Sequence, residues 1–240
     1  MSNRSVAIHF VRAALRGAQR HGHDNRALLL AAGINPDLLE QPRMRVDAQQ
    51  YARLIQQLWD TLEDELMGFG PVRSRPGTFA MMCHALIHCP TLERALQRGM
   101  LFYGLFADNP GISMREADEV IWLEIDTHMM DDPDHFLTES LLVIWHRLAS
   151  WLIGKRIPLE QASFAYPAPM HHQEYQLIFG CRLHFEQPVT ALAIPRSYMQ
   201  MPLIQDARTL KRFLEQSPSD LLSRRDFGNS LSGRIRQLIG

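Results

Sequence analysis

"GISMREADEVIWLEID", residues 111–126, is the stretch whose reading decides the fold. It alternates around Glu116–Asp118 and gathers Val120, Ile121 and Trp122 in its second arm, which predicts a β-hairpin. Everything before it reads differently. In "SVAIHFVRAALRGAQRHG" (5–22), Ile8, Val11, Ala14, Leu15 and Ala18 share one helical face, while Arg12, Arg16 and Arg20 lie elsewhere. Asp24 is placed to cap "NRALLLAAG", and Gly33 to end it. After Asp47, Tyr51, Leu54, Ile55, Leu58 and Leu62 keep the helical period. "GFGPVRSRPG" (68–77) marks a loop, and two helices follow, "TFAMMCHALIHC" (78–89) and "TLERALQRGMLFYGLFA" (91–107) with Thr91 as N-cap.

Beyond the hairpin, "DPDHFLTESLLVIWHRLASWLIG" (132–154) is apolar around much of its circumference and predicts a central helix. "QASFAYP", "RLHFEQ" and "TALAIP" are short strands, with "HHQEYQLIFG" (171–180) a helix ending at Gly180. The tail is helical again in "DARTLKRFLEQ" and "SGRIRQLIG", broken at "SPSD". Helix runs followed by strands without regular βαβ alternation predict an α+β fold, largely helical, with a small mixed or antiparallel sheet.

Composition excludes several classes. Lys and Arg total 25 against 26 Asp and Glu, so the balance is close to neutral and the chain as a whole does not read as a nucleic-acid binder. Three cysteines (Cys83, Cys89, Cys181) form no even disulfide framework and read as reduced thiols of a cytoplasmic protein. Arginines interrupt the N-terminal apolar stretch, and no apolar run is long enough for a membrane span.

Chemistry is harder to place. His171, His172, Cys181 and His184 crowd one stretch, yet adjacent histidines on a helix diverge by about 100° and cannot easily face one ion. His84 and His88 have the i, i+4 ligand spacing, but no Glu follows His84 as in the metalloprotease pattern, and their neighbours Phe79, Met82 and Leu86 read as core. Asp131, Asp132 and Asp134 suit helix capping. No nucleophile elbow, P-loop or dinucleotide fingerprint is present. Neither a catalytic residue, a metal nor a cofactor is expected.

A pocket for a small molecule needs apolar walls and a few polar tips, and aromatic and histidine side chains supply both. Phe79, Met82, Phe102, Tyr103, Trp122, Trp145 and His146 are the candidates, each competing with a plain core role.

Three stretches resemble the N-terminal effector domain of AraC/XylS-type bacterial transcription regulators, of the arabinose-binding-domain type: "DAQQYARLIQQLWDTLEDELMGFG", "RPGTFAMMCHALIHCPTLERALQRGMLFYGLF" and "HHQEYQLIFGCRLHFEQPVTALAIPRSYMQMPL". Their order and spacing carry the likeness, since each is built from apolar and turn residues. The resemblance implies an effector domain over residues 1–205 that is not a cupin barrel. It implies that 206–240 is a helical linker toward a helix-turn-helix DNA-binding domain absent from this chain, which is then a piece of a longer regulator. A small-molecule effector, a homodimer, and DNA contact only through that further domain follow, with no enzyme activity and no membrane. Two readings remain beside it: a small His/Cys metal-dependent enzyme and a ligand-free interaction module. The stripe of Leu210, Phe213 and Leu214 suits either a dimer contact or docking within the chain.

Overall fold

A computed structural model describes residues 5–106 and 108–218. The hairpin forms as the alternation predicts: β3 (Gly111–Ala117) and β4 (Val120–Asp126) pair antiparallel, with Ala117 opposite Val120 and Met114 opposite Leu123. Asp118 takes the turn with φ 50°, a left-handed conformation that a short polar side chain tolerates. The remaining strands are β5 (Gln161–Ser163), β6 (Arg182–His184) and β7 (Thr190–Pro195). They complete a five-stranded sheet ordered β3-β4-β7-β5-β6, antiparallel throughout except for the parallel β5–β6 pair. This open mixed sheet makes the domain α+β, with no closed barrel among the described residues.

The helices are α1 (Ile8–Arg20), α2 (Asn25–Ala31), α3 (Ala48–Leu62), α4 (Thr78–Leu86), α5 (Leu92–Tyr103), α6 (Phe136–Leu152), α7 (His172–Phe179) and α8 (Ala207–Glu215). Their starts follow the cap chemistry of the sequence. Asp24 accepts from Arg26 N, Asp47 closes a reciprocal capping box with Gln50, and Thr91 accepts from Arg94 N. Asp132 accepts from the backbone N–H groups of Leu137 and Thr138 at the start of α6, where a carboxylate also meets the positive helix end. Gly180 ends α7 with φ 65°.

Two hydrophobic cores result. One joins α1, α2, α3 and the 62–69 turn; the other packs α4, α5, α7 and α8 around the sheet. Helix α6 serves both, giving Phe136 and Leu137 to the first and Leu142, Trp145 and Leu148 to the second. Its apolar circumference has this cause: it is enclosed by two cores rather than one.

Some expectations change. Ser5–Ala7 is not helical but a strand, β1, paired with β2 (Arg45–Asp47) through Val6 and Val46. Three residues are too few to display an alternation. Helix α4 stops at Leu86, so His88 lies beyond its end and does not stand one turn above His84 on a helical face. The Leu210/Phe213 stripe docks within the chain: both residues are buried, and Phe213 stacks on Trp151 with ring centroids 4.2 Å apart. Most of the predicted 206–240 linker, including "SGRIRQLIG", lies outside the described residues.

Candidate ligand cavity

Where the two cores meet, their surfaces do not close completely. A cavity of about 280 Å³ lies between α3, α4, the end of α5 and the first half of α6. That is near the small end of the roughly 300–1,000 Å³ usual for ligand pockets. Tyr51, Ile55 and Trp59 form one wall from α3; Leu137, Ser140, Leu141, Ile144 and Trp145 form the opposite wall from α6. Leu214, Ser217 and Pro218, at and just past the end of α8, complete the lining.

The loop that edges the cavity is held by two adjacent carboxylates. Asp64, 1% exposed, accepts from the backbone N–H groups of Leu66, Gly68 and Ser74 at 2.8–2.9 Å. Glu65 reaches the cavity side and accepts from Gly77 N at 2.7 Å and Phe79 N at 2.9 Å, capping α4. Burial raises the Glu65 carboxyl pKa, against the lowering effect of those two N–H donors. Burial, with Glu65 adding to it, likewise raises the Tyr103 phenol. Trp59 brings an indole N–H that is buried without a hydrogen-bond partner among the described residues.

Of the sequence candidates, the structure brings Phe79, Tyr103 and Trp145 together in the cavity wall. The other four stand elsewhere. Met82 is fully buried behind the wall, close to Gly99 and the Trp145 ring. Gly99 makes this packing possible, since a Cβ there would sit 2.7 Å from Trp145 Cη2. Phe102 packs edge-on against Tyr103 and Phe106, outside the lining. Trp122 faces away from the core, because Ile121, Leu123 and Ile125 take the inward positions of β4; the Arg115 guanidinium sits 5.4 Å from its ring centroid. His146 turns to the 153–157 segment, where its Nε2–H donates to the Ile157 carbonyl at 2.8 Å. Burial lowers its pKa to about 4. Asp60, Glu65, Trp59 and Ser140 were missed. The 64–77 loop alone brings Glu65 to α4, and no sequence period encodes that return.

The histidine-rich stretch of α7 lies at a different junction. Tyr175 donates to Glu139, and the Tyr166 and Tyr175 hydroxyls are 3.3 Å apart. His171 Nε2 lies 3.6 Å from Glu139 Oε1, within ion-pair range but beyond a hydrogen bond, and its ring stacks on His9 at 3.9 Å. Burial, then His171 and Arg45, lower the His9 pKa to about 3. Burial raises that of Glu139, opposed by His171 and Tyr175. His172 Nδ1–H donates to the Pro169 carbonyl, His184 is exposed, and burial pushes the Cys181 thiol up to about 11. Among the described residues, no group of three or more His, Cys, Asp and Glu side chains is placed to hold a metal ion.

The two-core α+β domain thus holds a partly open, mainly apolar hollow with a few polar groups on its wall. Residues 22–203 match the family model described as the arabinose-binding domain of AraC transcription regulators, N-terminal, and the chain belongs to that family. Its members are domains of transcription regulators, not enzymes. Among curated proteins, the chain is 23% identical to the ornithine utilization regulator of Pseudomonas aeruginosa, over 98% of this chain and 70% of that one. Among solved structures, the transcriptional regulator CdpR from Pseudomonas aeruginosa covers 96% of this chain and 68% of its own, at 14% identity and a TM-score of 0.37. No helix of the described residues is long and apolar enough to cross a membrane.

Proposed function

We propose that the domain senses a small cytoplasmic metabolite in the cavity between its two cores and passes the occupancy to a helix-turn-helix DNA-binding domain through residues 206–240. One observation carries this reading: the wall that α3, α5 and α6 build is completed by Leu214, Ser217 and Pro218, from the segment that would lead to the DNA-binding domain. A molecule in the hollow touches that segment directly. It shifts an equilibrium between two placements of α8 to the extent that it binds one better than the other. The relative named for regulating ornithine utilization agrees with a metabolite as the signal.

The regulator acts as a homodimer in this proposal. Because the α8 stripe is used internally, the surface offered for pairing is the exposed Leu101, Leu105 and Phe106 beside β3, one of the two edge strands of the sheet. An open edge with apolar neighbours is a ready pairing surface.

The test is a thermal-shift screen of the chain against metabolites, with Ser140→Trp as the control that fills the cavity from α6. A ligand selective for the folded state stabilises by about 2.7 kcal/mol at a hundred times its Kd. The proposal expects a saturable hit that Ser140→Trp abolishes while far-UV circular dichroism is unchanged. A hit that survives Ser140→Trp places the site elsewhere.

A further inference from the structure

We infer that the cavity selects a small, positively charged amine with an apolar body; this rests on the cavity being the effector site. Two acidic residues line it, Asp60 and Glu65, and no Lys, Arg or His of the described residues does. Glu65 is partly answered, because it caps the first turn of α4. Asp60 has no hydrogen bond or ion pair among the described residues and stays exposed at the rim.

The helix ends reinforce the sign. Three helices bring their final turn to the lining: α3 with Trp59 and Asp60, α5 with Tyr103, and α8 with Leu214. The C-terminal end of a helix carries roughly half a negative charge on its unsatisfied carbonyls. Two helices present their positive N-terminal ends, α4 and α6, and each already has a carboxylate on its first N–H groups, Glu65 and Asp132. The positive ends are therefore compensated by carboxylates, while α3 and α5 carry no basic residue in their last turn to offset the negative ends.

The apolar part of the wall suits a cation equally well. Tyr51, Trp59, Phe79, Tyr103, Phe136 and Trp145 present six aromatic rings, whose faces attract an ammonium group and whose area holds an apolar body. A carboxylate there would stand beside Asp60 and Glu65 without a countercharge and would meet their repulsion.

The experiment uses the 240-residue chain and three probes of one shape: phenethylamine, 2-phenylethanol and 3-phenylpropionate. Calorimetric titrations at low and high salt are expected to rank amine above alcohol by tenfold or more, with the acid weakest and the margin narrowing in salt. Asp60→Asn, at an exposed position, is expected to reduce the amine's advantage at least threefold while binding the alcohol as before; Glu65→Gln, which keeps an acceptor for α4, reduces it further. Tightest binding by the acid or the alcohol overturns the charge inference and leaves the cavity reading standing. An amine preference untouched by both substitutions also overturns it. Absence of binding by all three overturns the inference of an amine with an apolar body, while the metabolite screen with Ser140→Trp tests the cavity reading separately.

Discussion

Glu65 and Glu139 are two enclosed carboxylates of one domain, both with burial raising their pKa, yet they sit in opposite surroundings. Glu139, 4% exposed, is sealed by Tyr175 and His171 where α6, α7 and α1 converge. Glu65 binds backbone on one side and borders open volume on the other. The first junction is filled and holds elements together; the second is left hollow at a cost that packing would otherwise recover. A perturbed acid therefore marks a ligand site only where space adjoins it.

The largest effect that separates the two regions is on stability. Glu139→Ala leaves the Tyr175 hydroxyl only the Tyr166 oxygen at 3.3 Å in place of a carboxylate and is expected to cost about 3 kcal/mol in urea unfolding. Glu139→Gln retains an acceptor and is expected to cost about 1 kcal/mol or less. Equal losses would show that packing, not the hydrogen bond, holds the junction.

Gly99→Ala comes next. Its new Cβ displaces the Trp145 ring, with an expected loss of about 1–3 kcal/mol and weaker phenethylamine binding, since that ring lines the cavity. Unchanged affinity would remove Trp145 from the site.

The pH response is smaller and belongs to the filled junction. The His9 pKa is depressed in the folded state, so the unfolded chain binds the extra proton between about pH 6.5 and 3. Stability contributed by neutral His9 is complete above about pH 6.5 and lost as pH falls toward 3, with a slope of up to about 1.4 kcal/mol per pH unit. Glu139 acts in the opposite sense: its raised pKa gives a contribution present below its unfolded value and lost as pH rises through the folded one. The readout is thus the difference between wild type and His9→Gln, whose melting temperature should fall less on acidification from pH 6.5 to 4. Parallel curves would show that His9 does not titrate with unfolding.

Smallest is Trp122→Phe on the outer face of the sheet. It is expected to change stability by about 1 kcal/mol or less and leave phenethylamine binding as it was. A loss of binding would return Trp122 to the site.

The elements with long periods were legible in the sequence. The hairpin at 111–126, the α3 stripe and the caps at Asp24 and Thr91 all rest on local rules, and the folded chain obeys them. The three-residue β1–β2 pair was not, because its partners stand 40 residues apart and neither arm shows an alternation. For the cavity, aromatic character identified Phe79, Tyr103 and Trp145 as eligible, and Trp122 as equally so. What divides them is strand parity and the meeting of two cores, and only the second brings Asp60, Glu65 and the end of α8 to one place. Ligand sites built between cores depend on contacts remote in sequence, which no window of residues displays.

The most direct measurement is a two-dimensional 15N spectrum of the four tryptophan indole N–H groups during a phenethylamine titration, assigned by single Trp→Phe substitutions. Occupancy of the hollow predicts that the Trp59 and Trp145 signals move together along one saturating curve while Trp122 stays fixed. Stationary Trp59 and Trp145 signals, or movement of Trp122 in their place, would contradict it.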